Sequence, residues 1–319
     1  MSAPAVPRAG VTPPAARAAR GERRRPARRR GTLTHPDRTG VLLVAPAVAF
    51  VVVFVLVPLV AAVVISLTNF PLIGSFRFIG LENYAAVLTD PSFWRSVGYT
   101  LLYTAIVTGP ILLVGYVLAV VVRSNRRGAT LLRTVFFVPY VVGLTTLSFL
   151  MLLEAQPNSG MVNVVLRALG ITDGTTAWLV DGPLATGLLC VMVIWGVSGL
   201  TMVLLMSGMQ GIPREVYESA ELDGASWWVR ERSITVPMLR RTIAMTVILS
   251  VIGSFLAFTQ FYILTQGGPG SDTTTVVLAI YRRAFVQLQL GAATAMSLVL
   301  VVITGLVTAA QFWLLRERS

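Results

Sequence analysis

The sequence predicts an all-α, polytopic integral membrane protein with six transmembrane helices and a cytoplasmic helix between helices four and five. Two observations lead to this class. Of 319 residues, 55% are hydrophobic and only 13% are charged, and the mean hydropathy is +0.75, which is untypical of soluble domains. Apolar runs of about 20 residues recur along the chain, the length that crosses a hydrocarbon core of about 30 Å. The predicted spans are residues 41–67, 98–122, 134–153, 184–208, 242–265 and 291–315.

The first 38 residues are rich in Pro, Ala and Arg and precede the first span. Because residues 1–38 contain almost no large apolar side chains, we expect a disordered tail that lies in water or against anionic headgroups. The apolar run that follows is about 27 residues long, which exceeds the hydrophobic region of a cleaved signal peptide. We therefore expect residues 39–319 to form the transmembrane domain.

Arginine predicts the orientation of the spans, because basic residues accumulate in cytoplasmic loops. All 26 basic residues are Arg. Twenty-one lie in the tail, between spans two and three, between spans four and five, or after span six. Five lie on the other side: Arg77, Arg95, Arg167, Arg282 and Arg283. The asymmetry predicts a cell-membrane protein with cytoplasmic N- and C-termini. It also accounts for the net charge of +12, so nucleic acid is not an expected partner.

Few residues could support covalent, metal or ion-coupled chemistry. The one cysteine, Cys190, lies in span four, and the one histidine, His35, lies in the tail. No Asp, Glu or Arg falls in the central part of a span, where secondary transporters usually carry such groups. The chain also has no Lys to complete a phosphate-binding ATPase loop. We expect no catalytic site, metal or cofactor on this chain, and any energy for uphill transport should come from another polypeptide.

The most polar segment after residue 40 is 216–237, between spans four and five. Glu215 and Glu218 lie near the expected positive end of a helix dipole. Gly224 permits a turn, and Pro237 is expected to end the following segment before span five. The pattern predicts a short helix, a glycine turn and a second helix on the cytoplasmic face.

The first of these helices has a face of small residues. Val216, Ala220 and Ala225 can share one side, which suits close docking in a cleft of another protein. The alternative is an amphipathic helix on lipid headgroups, but its polar face would then carry Arg, whereas this one is acidic. Trp227 and Trp228, after the turn, are expected to be anchors in the headgroup zone.

The same segment resembles the E-A-A-x₃-G-x₉-I-x-L-P pattern of the membrane subunits of binding-protein-dependent ABC importers. Ser219 stands in place of Ala and Val236 in place of Leu, both conservative changes. The matching positions are Glu218, Ser219, Ala220, Asp223, Gly224, Ala225, Ile234, Val236 and Pro237.

A second segment is similar to maltose- and glycerol-phosphate-type carbohydrate permeases, in particular to the first of their two paired permeases. In that group T-x-G-G-P, a Thr-rich stretch and Y-x-x-x-F follow the penultimate span. The corresponding residues are Thr265, Gly267, Gly268, Pro269, Tyr281 and Phe285. Residues 133–142 and 158–170 also resemble this group, and the resemblance extends over residues 40–316.

The resemblance implies a complex. The chain would pair with a second homologous permease, a dimer of a cytoplasmic ABC ATPase that binds ATP and Mg, and an extracytoplasmic solute-binding protein. Residues 39–319 would be the permease domain, with a coupling motif at 215–237. The helix around Glu218 would sit in a groove of one ATPase, and closure of the ATPases would turn the permeases from inward- to outward-facing. The cargo would be a carbohydrate or a related polyol or sugar phosphate.

Candidates for the solute pathway lie in spans four and five. Span four carries Trp195, Gly196 and Gly199, and span five places Ser250 and Ser254 on one face. Hydroxyls and an aromatic plane suit hydrogen bonding to a sugar and stacking on it. Small and hydroxyl residues equally serve helix packing in membranes, which is the favoured interpretation for any single one of them.

Thr265, Gly267, Gly268 and Pro269 are predicted first as a turn, with contact to partner chains as a secondary role. Two other functions are compatible with six spans: a self-contained secondary sugar carrier, and a membrane scaffold that docks a cytoplasmic partner. Neither accounts for the spaced motif and the T-x-G-G-P segment together. The importer is therefore the interpretation that the sequence favours.

Overall fold

The computed structural model describes residues 37–71, 75–123 and 128–315, so that the predicted tail up to residue 36 lies outside the described residues. Within that range the chain folds into helices and has no β-strand longer than an isolated bridge. The helices are α1 (Asp37–Val51), α2 (Val57–Ser66), α3 (Glu82–Thr89), α4 (Pro91–Val122), α5 (Ala129–Val142), α6 (Leu144–Glu154), α7 (Met161–Ala168), α8 (Gly182–Gln210), α9 (Arg214–Leu222), α10 (Trp227–Arg230), α11 (Val236–Met238), α12 (Arg240–Phe255), α13 (Thr259–Leu264), α14 (Val276–Tyr281) and α15 (Leu290–Leu315). Three π turns separate some of them: Val52–Leu56, Glu231–Thr235 and Arg282–Val286.

Five helical segments of the described chain are long and apolar enough to cross a membrane. They confirm predicted spans one, two, four, five and six, with bounds Val41–Ser66, Pro91–Val122, Gly182–Gln210, Arg240–Leu264 and Leu290–Leu315. Span two begins at Pro91 instead of residue 98, because Asp90 caps the helix by accepting a hydrogen bond from the Ser92 amide at 2.8 Å. Span five is interrupted at residues 256–258, between α12 and α13.

The third predicted span is bent. Helices α5 and α6 meet at an angle of 94° at Gly143, and together they make up the sixth candidate span. Gly143 has φ +87° and ψ 152°, a conformation that is essentially restricted to glycine. A Cβ at this position would meet nothing within 4 Å, so the backbone conformation, and not space, calls for glycine.

The site described below lies in the segment Leu56–Ser319, which forms one compact unit. Its most extensive helix pair is α4 against α8, where Gly115 lets the backbones approach because a Cβ would overlap the side chain of Thr201. Helix α4 buries Val107 completely and leaves Leu113 65% exposed. A helix with one packed side and one exposed apolar side is what a lipid-facing position requires.

Three clusters of buried apolar residues hold the helices together. One includes Tyr103, Leu189 and Phe261, and a second includes Phe93, Phe255 and Val276. The third joins the end of α4 to the end of α8 and to Leu239, just before α12. This third cluster supports the polar segment between spans four and five.

Candidate functional site

The segment between spans four and five folds as a helix, a glycine turn and a second helix, which confirms the predicted order. Helix α9 ends in a Schellman motif: the Ala225 amide donates to the Ala220 carbonyl at 2.9 Å, and the Gly224 amide to the Glu221 carbonyl at 3.0 Å. Gly224 has φ +75°, in the left-handed region that this motif requires. Helix α10 follows three residues later. We call residues 214–238 the cytoplasmic helix pair, after the side of the membrane that the sequence predicts for it.

Pro237 does not end the second helix, in contrast to the expectation. After α10 the chain continues through the π turn Glu231–Thr235 into α11, and the break before α12 falls at Leu239. Proline is tolerated here because it lies in the first turn of α11, where its nitrogen needs no helical partner. Ile234 lies within the π turn and is half-buried.

The small-residue face of α9 is less exposed than the rest of the helix, and its docking into another protein stays a prediction. Val216, Ala220 and Ala225 are partly buried within the subunit. The opposite face is free, and Leu222 on it is 90% exposed. The exposed positions near Leu222 include Glu218, Ser219, Asp223 and Gly224. We call these five residues the acidic docking face, after the contact with another protein that the sequence predicts for this segment.

Tyr217 anchors α9 to the membrane-spanning helices. Its ring packs against the inner apolar cluster, and its hydroxyl lies 2.9 Å from the Thr235 hydroxyl in the second helix. The guanidinium of Arg123, at the end of α4, lies 5.8 Å from the centre of the Tyr217 ring, a cation–π distance. The two helices of the pair are therefore fixed to each other and to span two.

Glu231 makes the second connection to span two. Only 4% of Glu231 is exposed, and its carboxylate forms an ion pair with Arg123 and accepts a hydrogen bond from the Tyr116 hydroxyl at 2.7 Å. A more exposed ion pair between Arg230 and Glu221, at 3.2 Å, joins the two helices. A buried carboxylate needs such partners, because an unpaired one would not be tolerated in the interior.

The pathway candidates of span four are packing or groove residues. A Cβ on Gly199 would overlap the carbonyl of Phe136 in α5, and one on Gly196 would lie 2.9 Å from the Leu147 side chain in α6. Trp195, 44% exposed, lines an apolar groove of about 750 Å³ with walls from α6, α7 and α8. The span-five candidates lie on a different helix, α12. Ser250 is half-buried there, and Ser254 is buried.

A buried polar pair lies next to the interruption of span five. The Gln260 side-chain amide donates to the Tyr103 hydroxyl at 3.3 Å, and both residues are almost fully buried. The Thr275 hydroxyl donates to the Ala257 carbonyl, inside the interruption, at 3.0 Å. Tyr103 was not singled out in the sequence, since a tyrosine in an apolar run gives no periodic signal.

The outer-loop residues form a turn that closes on the Thr-rich segment. Gly267 has φ +80°, and the Gly268 amide donates to the Thr265 carbonyl at 2.8 Å. Thr273 Oγ1 lies 2.7 Å from the Gly268 carbonyl oxygen and 2.8 Å from Thr265 Oγ1. Pro269 follows Gly268 in this turn. Hydrogen bonds within the chain therefore hold this turn.

Comparison with known proteins agrees with this architecture. Residues 111–318 match the family described as binding-protein-dependent transport system inner membrane component. The lactose transport system permease protein LacF of Rhizobium radiobacter is 32% identical over 288 residues, covering 89% of this chain and 96% of LacF. The multiple sugar-binding transport system permease protein MsmF of Streptococcus mutans is 33% identical over 268 residues, covering 83% of this chain and 91% of MsmF.

A solved structure shares the fold. It is a bacterial alginate ABC transporter in complex with an alginate pentasaccharide-bound periplasmic protein, with a TM-score of 0.77 and 18% identity over 88% of this chain and 94% of the other. The family match and the identity to two permeases over most of their length decide the assignment. The chain belongs to the family of inner membrane components of binding-protein-dependent transport systems and is a transmembrane permease subunit of an ABC importer.

Proposed function

We propose that this permease subunit carries a carbohydrate, or a related polyol or sugar phosphate, across the cell membrane, with both termini in the cytoplasm. Relatives named for lactose and for multiple sugars support this cargo class. The distribution of 26 arginines supports the orientation. A second permease would complete the pathway, and an extracytoplasmic binding protein would deliver the solute.

The cytoplasmic helix pair would be the contact to a partner ATPase dimer, which binds ATP and Mg. The observation that carries this proposal is the acidic docking face, where Leu222 is 90% exposed among Glu218 and Asp223. Anionic headgroups would repel these carboxylates, whereas a protein cleft can bury the leucine and pair the acids. ATP hydrolysis then belongs to the partner, and this chain acts as the mechanical link.

The anchors explain how force on α9 would reach the pathway. Movement of α9 would be transmitted through the Tyr217–Thr235 contact to the second helix. From there the Glu231–Arg123 ion pair would pass it to the end of α4. Because all these groups are buried or half-buried, the helix pair and span two would move as one body.

Along the pathway we assign different roles to the candidates. Ser250 and Ser254, on the face of α12, are the proposed hydrogen-bonding contacts to sugar hydroxyls. Gly196 and Gly199 instead let α8 approach α5 and α6. Trp195 would be a contact to lipid or to the second permease, because it lies half-exposed on the apolar groove. The Thr265–Pro269 turn would face a partner chain outside the membrane.

The decisive experiment compares two glycines with the same local structure. Gly170 ends α7 in a second Schellman motif, with φ +70° and open space around it, as Gly224 does for α9. Aspartate at either position costs a similar backbone strain of about 1 kcal/mol. Gly224→Asp should reduce co-purification of the ATPase and solute uptake at least tenfold, whereas Gly170→Asp should leave ATPase binding at the wild-type level.

Membrane insertion of both variants should match the wild type. Wild-type ATPase binding and uptake in Gly224→Asp would refute the coupling role. Uptake by the wild-type chain without any ATPase would support a secondary carrier instead. If solute flux were unchanged after deletion of this chain, the result would support a scaffold function instead.

A further inference from the structure

Three of the five arginines outside the cytoplasmic clusters converge on one pocket. Arg95, in the first turns of α4, faces Arg282 and Arg283 of the π turn that follows α14. The pocket has a volume of about 210 Å³, and Asp90 also lines it. We call it the arginine pocket. Because it is at the opposite end of α4 from Arg123, it lies on the far side of the membrane from the cytoplasmic helix pair.

The charges in the arginine pocket do not balance. Asp90 accepts hydrogen bonds from the Ser92 hydroxyl at 2.7 Å and the Ser92 amide at 2.8 Å. The hydroxyl bond is the main cause that lowers the pKa of Asp90, with a smaller contribution from Arg283, so this carboxylate is ionised at neutral pH. The lining of the pocket therefore carries one negative charge and three positive charges.

The guanidinium groups are bound to neutral acceptors or are free. Arg282 donates to the Gln266 carbonyl, and Arg283 donates to the Gln287 side-chain oxygen at 2.9 Å. Arg95 is exposed and forms no ion pair within the described residues. Each guanidinium has five N–H donors, so most donors in the pocket remain available.

We infer that the arginine pocket binds an acidic side chain of the extracytoplasmic solute-binding protein. The inference rests on the proposed function, which puts this end of the subunit outside the cell. The volume of 210 Å³ is below the roughly 300 Å³ at which small-molecule sites begin, so it suits one inserted carboxylate better than a sugar. Arginine binds carboxylates through two parallel hydrogen bonds, which would fix the orientation of the docked protein.

Docking at this pocket would affect the interrupted span through a series of hydrogen bonds. A carboxylate bound to Arg282 would compete with the Gln266 carbonyl for its donors. Gln266 lies in the Thr265–Pro269 turn, which contacts the Thr-rich segment through Thr273. Thr275 of that segment donates to the Ala257 carbonyl at 3.0 Å. Docking of the binding protein would thus change the hydrogen bonds that hold residues 256–258, where span five is interrupted.

The test measures the affinity of the cognate binding protein for the complete transporter in lipid nanodiscs. Arg95→Glu and Arg283→Glu should each weaken binding at least tenfold, and the wild-type affinity should fall as NaCl is raised. Arg95→Lys keeps the charge but not the two parallel hydrogen bonds, so it should weaken binding less than Arg95→Glu. The matched control is Arg77→Glu, another exposed arginine of the same side that does not line the pocket, and it should bind within twofold of wild type.

Unchanged affinity in both charge-reversed variants, with the ATPase still bound, would overturn the inference. So would a loss of uptake confined to anionic solutes with unchanged affinity, since the pocket would then serve the solute. Failure of the proposed function looks different, because the wild-type chain would then purify without an ATPase and bind no solute-binding protein.

Discussion

At Glu231 a carboxylate that is 4% exposed lies between the guanidinium of Arg123 and the hydroxyl of Tyr116. The sequence did not indicate this pair. Arg123 and Glu231 lie 108 positions apart, and no helical period connects residues on separate elements. The pairing is supported by the third apolar cluster, which joins the end of α4 to Tyr217 and Leu239 on either side of Glu231.

Removing one partner of this pair should be more harmful than removing both. Arg123→Met leaves the Glu231 carboxylate buried without a counter-charge, and we expect a loss of about 3 kcal/mol in stability. The double variant Arg123→Met, Glu231→Leu should recover most of that loss, because no charge is left buried. Thermal unfolding in detergent measures both, and equal melting temperatures for wild type and the single variant would contradict the buried ion pair.

On the scale of helices, the sequence predicted which segments are helical better than how they are oriented. Length and apolarity predicted the five long spans and the apolar segment that forms the bent pair α5 and α6, and Gly224 predicted the turn between α9 and α10. The bend at Gly143 was missed, because apolarity reports the length of a segment and not its direction. The facing of α9 stays a prediction for a related reason: small residues such as Ala220 indicate close packing, but not whether the partner is the same chain.

The bend should depend on glycine at residue 143. Gly143→Ala places a side chain on a backbone at φ +87°, ψ 152°, which costs about 1–3 kcal/mol. Gly98→Ala is the matched control, since Gly98 is an exposed helical glycine of α4 with nothing within 4 Å of an added Cβ. The control should be neutral or slightly stabilising. Thermal unfolding distinguishes the two, and an equal effect would show that the bend does not need the glycine conformation.

For the whole molecule, the orientation in the membrane rests on the arginine distribution and remains a prediction. Ser219 on the acidic docking face and Ser271 in the outer loop are both exposed, and they are expected on opposite sides. In a Cys190→Ala background, Ser271→Cys should react with an impermeant maleimide on intact cells and Ser219→Cys only after the membrane is opened. The reverse pattern would invert the topology and the assignment of the arginine pocket.

The complex is the central claim, and purification from native membranes tests it most directly. The chain would be solubilised in mild detergent and isolated, and its partners would be identified by mass spectrometry. Our account predicts an ABC ATPase and a second six-span permease in stable amounts, because the acidic docking face and the exposed apolar helix surfaces need partners. Recovery of the chain alone, or as an oligomer of itself with no ATPase, would contradict it.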